Sequence, residues 1–359
     1  MNELGQLIMT GISGTTLTTV EEKFLESENI GGVILFAHNY ESPAQLAELI
    51  NNIQRCRNEY PLFISVDQEG GRVCRFRNGF SKIPPMWDVG RIDSPKLAFH
   101  LAKIIAAELT ACGVNVNFAP VCDVLINPMN KVIGDRAFGS TEEVVSKFVS
   151  SFIRGFQTNN ILACAKHFPG HGSTTKDSHF DLPIVKRTLE ELRETEFKSF
   201  TKAIKARVEF VMMAHLVVDS IDTELPTSLS PKAYDILRNE LRYTGMIITD
   251  DMEMKAITDN YTLEKAAVMA ISAGADIIEY RSFESSVAAL EALKEAKKVK
   301  SLRNELIQEK VNRINQAKKS HLSNYKQVYI PEIAHQVNTG TSQALIKEIE
   351  DKITHTASV

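Results

Sequence analysis

The feature that most constrains the fold is a regular alternation of short apolar runs with longer helical patterns. Eight runs rich in Val, Ile and Phe occur, near residues 6–11, 32–37, 62–66, 114–119, 162–165, 210–214, 246–249 and 276–279. Continuously apolar strands of this kind suit a parallel sheet that helices cover on the outside. Eight alternations in 359 residues predict a single-domain (β/α)8 TIM barrel of the α/β class, with its functional site at the C-terminal face.

The segments between the runs predict helices, most clearly at residues 42–55, 95–111, 141–157, 189–206 and 263–273. Ser140, Thr188 and Thr262 stand at expected N-cap positions, and Thr188 with Glu191 has the spacing of a capping box. Residues 283–318 predict one or two closing helices. We therefore divide the chain into a barrel, residues 1–320, and a C-terminal surface extension, residues 321–359, with a weak helical stretch around 342–353.

Composition excludes several classes of protein. The 41 basic and 45 acidic residues give a net charge of −4, which provides no basic surface for nucleic acid or an anionic membrane. No apolar run approaches the roughly 20 residues that span a bilayer, and the N-terminus lacks a signal-peptide pattern. Five scattered cysteines without a CxxC spacing fit neither a disulfide framework nor a zinc knuckle. We expect a cytoplasmic protein that is a monomer or a weak homodimer.

Polar residues end four of the predicted strands. They are Asp67, Lys166, His167, His215, Asp250 and Asp251. Such side chains converge on one face of a barrel, where catalytic residues gather. We expect Asp250 to point into the barrel mouth, where an aspartate is a good nucleophile toward an electrophilic carbon such as a sugar anomeric centre. Asp251 is expected to cap the helix that follows.

The loop after the fifth strand is too long and too rich in Gly, Ser and Thr for a plain turn, and it reads KHFPGHGSTTKDSHFDLP from residue 166 to 183. Loops of this length in a compact barrel are often functional. Asp177 is placed to orient His179 and raise its basicity, which predicts an acid/base that closes on a substrate. We expect His171 to make a hydrogen bond that stabilises the loop.

At these residues the sequence resembles family 3 glycoside hydrolases, and within them the single-domain bacterial β-N-acetylhexosaminidases of peptidoglycan recycling. The resemblance covers roughly residues 31–274. Its most diagnostic piece is the loop segment KHFPGHGSTTKDSH. Four further segments support it: DQEGGRVCR, NFAPVCD, IGDRAFG and TDDMEM.

The resemblance implies a retaining exo-β-N-acetylglucosaminidase that acts on muropeptides derived from peptidoglycan and needs no metal or organic cofactor. It implies that Asp250 is the nucleophile, that His179 is the acid/base and that Asp177 is the partner of His179. It further implies sugar binding by Asp67, Arg75, Arg136, Lys166 and His167. Ion pairing within the barrel mouth is an equally good reason for Arg136, Lys166 and His167, and the two roles are compatible.

Three alternatives stay open. One is a metal-dependent barrel hydrolase, although no HxH motif ends the first strand. Its ligands would be His167, His171, His179, His215 and Asp250. The others are a sugar-binding protein on an inactive barrel and a phosphorylase that uses phosphate in place of water. The sequence does not fix the natural aglycone, and Glu279 and Arg281 at the eighth strand depart from the family pattern.

Overall fold

The protein is described by a computed structural model that covers residues 3–174 and 182–357. Its centre is a closed barrel of eight parallel strands whose spatial order follows the chain, with β8 pairing back onto β1. The strands are β1 (Ile8–Thr10), β2 (Gly32–Leu35), β3 (Phe63–Val66), β4 (Val116–Asn117), β5 (Leu162–Phe168), β6 (Phe210–Met213), β7 (Met246–Asp251) and β8 (Ile277–Tyr280). All eight predicted strands and the predicted (β/α)8 fold are confirmed.

Helices surround the barrel in the described part of the chain. They are α1 (Thr19–Ser27), α2 (Pro43–Arg55), α3 (Met86–Arg91), α4 (Pro95–Ala111), α5 (Glu142–Gln157), α6 (Leu189–Glu194), α7 (Glu196–Lys205), α8 (Pro231–Asp235), α9 (Lys255–Thr258), α10 (Leu263–Ala273), α11 (Phe283–Lys298), α12 (Asn304–Leu322) and α13 (Gly340–Ala357). A π-helical turn, Ile236–Glu240, follows α8. Two strands, Gln68–Gly70 and Val73–Cys74, form a hairpin directly after β3.

The N-caps were predicted correctly at two positions and wrongly at one. Thr188 forms a reciprocal capping box with Glu191, and the side chain of Thr262 caps α10. The cap of α5 is Thr141 and not the predicted Ser140, because the helix begins one residue later than expected. Thr141 has the extended backbone of a cap, and its hydroxyl accepts the N–H of the third helical residue.

The barrel interior changes from apolar at its N-terminal end to polar at its C-terminal end. Phe63 and Phe210 face each other edge to face inside the lower part, with ring centroids 5.3 Å apart. Above them the strands end in buried or partly buried polar side chains, including Lys166, His167 and Glu279. The apolar end therefore supports the barrel, and the polar end holds the candidate site.

The C-terminal part of the chain packs on the barrel over most of its length. α11 and α12 are the predicted closing helices. Beyond them the weak helical stretch predicted at 342–353 is the longer α13, which contacts α3 and α4. Its Ile346 and Ile349 are buried in the main core. In the described residues, no helix is both long enough and apolar enough to cross a bilayer.

Candidate active site

Irregular strand ends place the polar residues at the barrel mouth. The register between β5 and β6 shifts between Ala165 and Phe168, and the register between β7 and β8 shifts between Ile248 and Asp251. Such irregularities bend a strand and change the direction of its side chains. The segments that carry Lys166, His167 and Asp250 lie within these two shifts, so the predicted site residues belong to the part of the barrel where regular pairing ends.

Asp67, Lys166 and Arg75 form one connected group. Lys166 Nζ lies 2.6 Å from Asp67 Oδ1, and Arg75 donates to Asp67 Oδ2 at 3.0 Å. Burial opposes ionisation of Asp67, but the two cations outweigh it and hold the pKa of this carboxyl well below its usual value. Asp67 and Arg75 remain partly exposed, so both can also contact a ligand.

Glu69, which sequence reasoning left without a role, joins Lys166 to Arg136. Arg136 binds Glu69 through two parallel hydrogen bonds of 2.8 Å, and Lys166 Nζ lies 2.6 Å from Glu69 Oε1. Burial is outweighed by these cations, and the pKa of Glu69 falls to about 2. The glutamate is fully buried, so its role is to fix the two cations rather than to touch a substrate.

His167 is oriented by Asp123, a second residue that sequence reasoning left without a role. His167 Nδ1 lies 2.7 Å from Asp123 Oδ2, and His167 Nε2 lies 3.3 Å from Arg136 Nη2. Arginine only donates, so Nε2 accepts and the proton resides on Nδ1, directed at Asp123. Asp123 also accepts the backbone N–H of His171 at 2.7 Å. This carboxylate fixes both the imidazole and the start of the long loop.

Asp250 differs from the other carboxylates of the mouth because no cation contacts it among the described residues. Its Oδ1 accepts the N–H of Asp251 at 2.9 Å, and its side chain is partly exposed. Burial opposes ionisation, but His167, His215 and this N–H lower its pKa below the usual value. Asp250 is therefore an ionised carboxylate whose charge is available to a ligand.

The prediction that Asp251 caps the following helix is wrong. β7 continues through Asp251, whose carboxylate pairs with Arg281 of the segment after β8 at 2.5 Å. The N-cap of α9 is Met254, without a side-chain bond. Burial raises the pKa of Asp251 to about 6, despite Arg281. Arg281 thus forms an ion pair with Asp251, the residue next to Asp250.

Glu279 is a buried carboxyl that no cation contacts in the described part of the chain. It is 3% exposed, and its Oε2 has no hydrogen-bond partner among the described residues. Burial, followed by the negative charges of Asp251, Asp67 and Asp250, raises its pKa well above the usual value. Glu279 therefore favours its protonated form more strongly than the carboxyls that contact a cation.

Two predicted catalytic residues, Asp177 and His179, lie outside the described residues. The loop that carries them begins from a well-ordered hydrogen-bond network, since Thr174 Oγ1 lies 2.8 Å from His171 Nδ1. His171 is buried, and burial lowers its pKa to about 4. This arrangement agrees with the prediction that His171 stabilises the loop.

The described residues offer no ligand set for the metal-dependent alternative. Within residues 3–174 and 182–357, no group of three or more His, Cys, Asp or Glu side chains is arranged to hold a metal ion. His215 has both ring nitrogens in hydrogen bonds, with Ser228 Oγ at 2.7 Å and with the carbonyl of Asp251 at 3.0 Å. It braces the segment that carries Asp250.

Comparisons with known proteins agree on one family. The glycosyl hydrolase family 3 N-terminal domain matches residues 1–317. The β-hexosaminidase of Nitrosomonas eutropha is 42% identical over 278 residues, which are 76% of this chain and 79% of that protein. The β-hexosaminidase of Idiomarina loihiensis is 41% identical over 276 residues, covering 76% and 82% of the two chains.

Solved structures agree with the sequence relatives. A glycoside hydrolase family 3 β-N-acetylglucosaminidase from Paenibacillus sp. str. FPU-7 superposes with a TM-score of 0.91 at 36% identity, over 98% of this chain and 68% of that chain. A β-N-acetylhexosaminidase from Beutenbergia cavernae gives a TM-score of 0.82 at 28% identity, over 89% and 98%. The matched domain includes all eight strands and every site residue described above. The chain therefore belongs to glycoside hydrolase family 3.

Proposed function

We propose that this enzyme is a retaining exo-β-N-acetylglucosaminidase that removes terminal β-linked GlcNAc from peptidoglycan-derived muropeptides in the cytoplasm. It is a β-N-acetylhexosaminidase, the activity for which its curated relatives are named. The observation that carries the proposed mechanism is the state of Asp250. Unlike Asp67, Glu69 and Asp251, it has no cation partner among the described residues.

An unpaired, ionised carboxylate is what the first step of a double displacement requires. In this step an oxygen of Asp250 bonds to the anomeric carbon while the glycosidic C–O bond breaks. A carboxylate held by an arginine or lysine would be a weaker nucleophile, because its charge is already shared with a hydrogen-bond donor. Asp67, Glu69 and Asp251 are all held in this way.

The paired residues around Asp250 supply the proposed sugar site. Asp67 and Arg75 are partly exposed and offer an acceptor and a donor to sugar hydroxyls. Lys166, Arg136 and His167 are more buried and are fixed by carboxylates behind them. Holding donors in place before the substrate arrives reduces the entropy lost on binding.

The proton transfers are assigned to His179, on the family resemblance. Protonated His179, oriented by Asp177, gives its proton to the leaving oxygen in the first step. In the second step His179 takes a proton from water, whose oxygen attacks the anomeric carbon. The glycosyl–Asp250 bond breaks, and β-N-acetylglucosamine leaves with retained configuration.

The primary test is hydrolysis of 4-nitrophenyl N-acetyl-β-glucosaminide by the wild type, Asp250→Asn and His179→Ala, with EDTA present throughout. We expect Asp250→Asn to lower kcat by about 10³- to 10⁵-fold, as removal of a nucleophile commonly does. Asp251→Asn is the matched control, because its carboxylate is already paired with Arg281. We expect it to cost less than about tenfold.

Product analysis tests the stereochemistry and the acceptor. Proton NMR during turnover should show the β-anomer of GlcNAc first, and a 5-fluoro glycosyl fluoride should leave a sugar covalently attached to Asp250. Adding phosphate should leave the product unchanged. Inactivity of the wild type, or full activity of Asp250→Asn, would exclude the proposed mechanism, and release of a sugar phosphate would establish a phosphorylase.

The aglycone is tested by competition between two GlcNAc donors. A muropeptide with terminal GlcNAc and chitobiose are offered to the enzyme at equal concentration. We expect a higher kcat/KM for the muropeptide. Equal values would point to a general β-N-acetylhexosaminidase without a recycling role.

A further inference from the structure

The C-terminal segment of residues 323–357, here called the strap, lies beyond the matched family domain and crosses several barrel helices. Near its start, Val328 exchanges two hydrogen bonds of 2.9 Å with the side chain of Asn51 on α2. Its last helix, α13, contacts α3 and α4. Ile333 and Ile349 are buried along this course. The strap is thus fastened at one end to α2 and at the other to the region that follows the 68–74 hairpin.

At the second end, a buried carboxylate links the strap to the segment after the hairpin. Glu108 on α4 is 2% exposed and accepts the backbone N–H of Asn338 in the strap at 3.0 Å. The same carboxylate accepts the backbone N–H of Ser81 at 2.9 Å and the Ser81 hydroxyl at 2.5 Å. Hydrogen bonds to an ionised acceptor are stronger than neutral ones, and three converge here. Glu108 therefore joins the strap to the segment after the hairpin.

From Ser81 the contacts continue to the turn of the hairpin. Two residues further on, the carbonyl of Ile83 accepts the N–H of Gly71 at 3.0 Å. Gly71 has a φ of +54°, and an added Cβ there would lie 3.0 Å from Pro85. Because the turn packs this tightly against residues 83–85, a displacement of those residues would displace the turn as well. The position of residues 81–85 therefore sets the position of the hairpin turn.

The hairpin in turn carries two residues of the site. Glu69 lies in its first strand and binds Lys166 and Arg136, and Arg75 follows its second strand and binds Asp67. A shift of the hairpin would move both partners away from these side chains.

The strap does not hold the hairpin by close packing. A cavity of about 430 Å³ separates α13 from the hairpin, and Arg72, Cys74, Glu350 and Ile353 are among its lining residues. Side chains across such a space transmit little force. A continuous connection runs instead through Glu108, Ser81 and Ile83, and the Ser81 hydroxyl also lies 3.5 Å from Asn338 Oδ1 of the strap.

We propose that Glu108 is a positioning residue through which the C-terminal strap holds the 68–74 hairpin, and with it Glu69 and Arg75, in place for the sugar. The inference rests on the proposed function, because it assigns the hairpin to substrate binding. It adds a role for a segment that lies outside the family domain.

The test compares Glu108→Gln with Asn51→Ala. Glutamine keeps the shape but replaces one acceptor oxygen by an amide donor, so at least one of the three bonds is lost. We expect KM for the aryl glucosaminide to rise about tenfold, which corresponds to one charge-assisted hydrogen bond, with kcat within about twofold. Asn51→Ala releases the other end of the strap, so KM should stay unchanged.

Hydrogen exchange of backbone amides provides a readout that does not depend on activity. We expect faster exchange at residues 68–76 in Glu108→Gln and an unchanged rate there in Asn51→Ala. If Glu108→Gln does not fold, Ser81→Ala removes one bond to the same carboxylate and should give a smaller change of the same kind. Unchanged exchange at the hairpin with unchanged KM would overturn the positioning role. Inactivity of the wild type would refute the proposed function, while the exchange result would still test the connection.

Discussion

At the scale of single residues, contact with Lys166 separates Asp67 and Glu69 from Glu279 in the barrel mouth. Lys166 Nζ lies 2.6 Å from both Asp67 and Glu69, and the pKa of each carboxyl is lowered although burial opposes this. Glu279 stands in the same mouth without such a contact, and its pKa is raised. Carboxyl groups within one site thus have pKa values shifted in opposite directions.

Lys166→Met leaves Asp67 and Glu69 without their shared cation. We expect the free energy of unfolding to fall by about 3–5 kcal/mol at pH 7, as for other broken buried pairs. The loss should shrink as the pH falls below about 4, because the stabilisation from a lowered carboxyl pKa is complete only above the usual carboxyl pKa. That stabilisation disappears as the pH falls toward the folded-state pKa, about 2 for Glu69.

Urea unfolding at pH 7 and about pH 3 measures this difference. Lys147→Met is the control, since Lys147 forms an exposed pair with Asp93 and should cost less than about 1 kcal/mol at both pH values. Equal losses from the two lysine variants would contradict the assigned network.

Glu279→Gln keeps a neutral side chain of the same shape. The raised pKa of Glu279 means that the wild type loses stability as the pH rises above the usual glutamate value, by about 1.4 kcal/mol per pH unit until the folded-state pKa is reached. The variant should therefore unfold like the wild type near pH 4 and be more stable at pH 8. Thermal unfolding at both pH values tests this. The exposed Glu264→Gln should show no such gain.

At the scale of elements, local patterns were sufficient for the strands but not for the partners of the site residues. Barrel strands are covered on both faces, so each is a continuous apolar run that the sequence displays directly. The capping box at Thr188 is visible because its two residues are three positions apart. Glu69 and Asp123 escaped prediction because their partners lie between 44 and 97 residues away in the chain. Only the closed barrel brings them together.

The error at Asp251 has the same cause. An aspartate after a strand is commonly a helix cap, and nothing near it in sequence indicates Arg281, 30 residues further on.

The length of α13 was underestimated for another reason. Its apolar positions are few, and helix formation there depends on burial of Ile346 and Ile349 against the barrel.

Thr188→Ala tests the capping box as a property of one element. The change removes the hydroxyl that accepts the Glu191 N–H at 3.2 Å, and we expect about 1 kcal/mol of lost stability, measured by urea unfolding. Ser140→Ala is the matched control, because Thr141 and not Ser140 caps α5. A comparable loss from Ser140→Ala would show that the cap was misassigned.

At the scale of the whole molecule, Lys318 joins α12 to the segment that precedes β1, beneath the barrel. It is 1% exposed on α12, its Nζ donates to Gln6 Oε1 at 2.8 Å, and it lies over the ring of Phe63. Burial lowers the pKa of Lys318 to about 7. Around neutral pH, the folded protein and the unfolded chain therefore bind different numbers of protons at this one group.

Lys318→Met should remove a pH dependence from the stability of the entire barrel. Because the pKa of Lys318 is lower in the folded protein, its contribution to the free energy of unfolding is complete above the pKa of an unfolded lysine, near 10.4. That contribution is lost as the pH falls to about 7, the pKa in the folded state. The wild type should therefore gain stability relative to the variant from pH 7 to pH 9, by about 1.4 kcal/mol per pH unit at most. Urea unfolding at pH 6, 7.5 and 9 measures this slope, and the exposed Lys319→Met should leave it unchanged. Parallel curves for the wild type and Lys318→Met would mean that the amine stays charged, held by Gln6 and the Phe63 ring, and that closure of the barrel base is independent of pH.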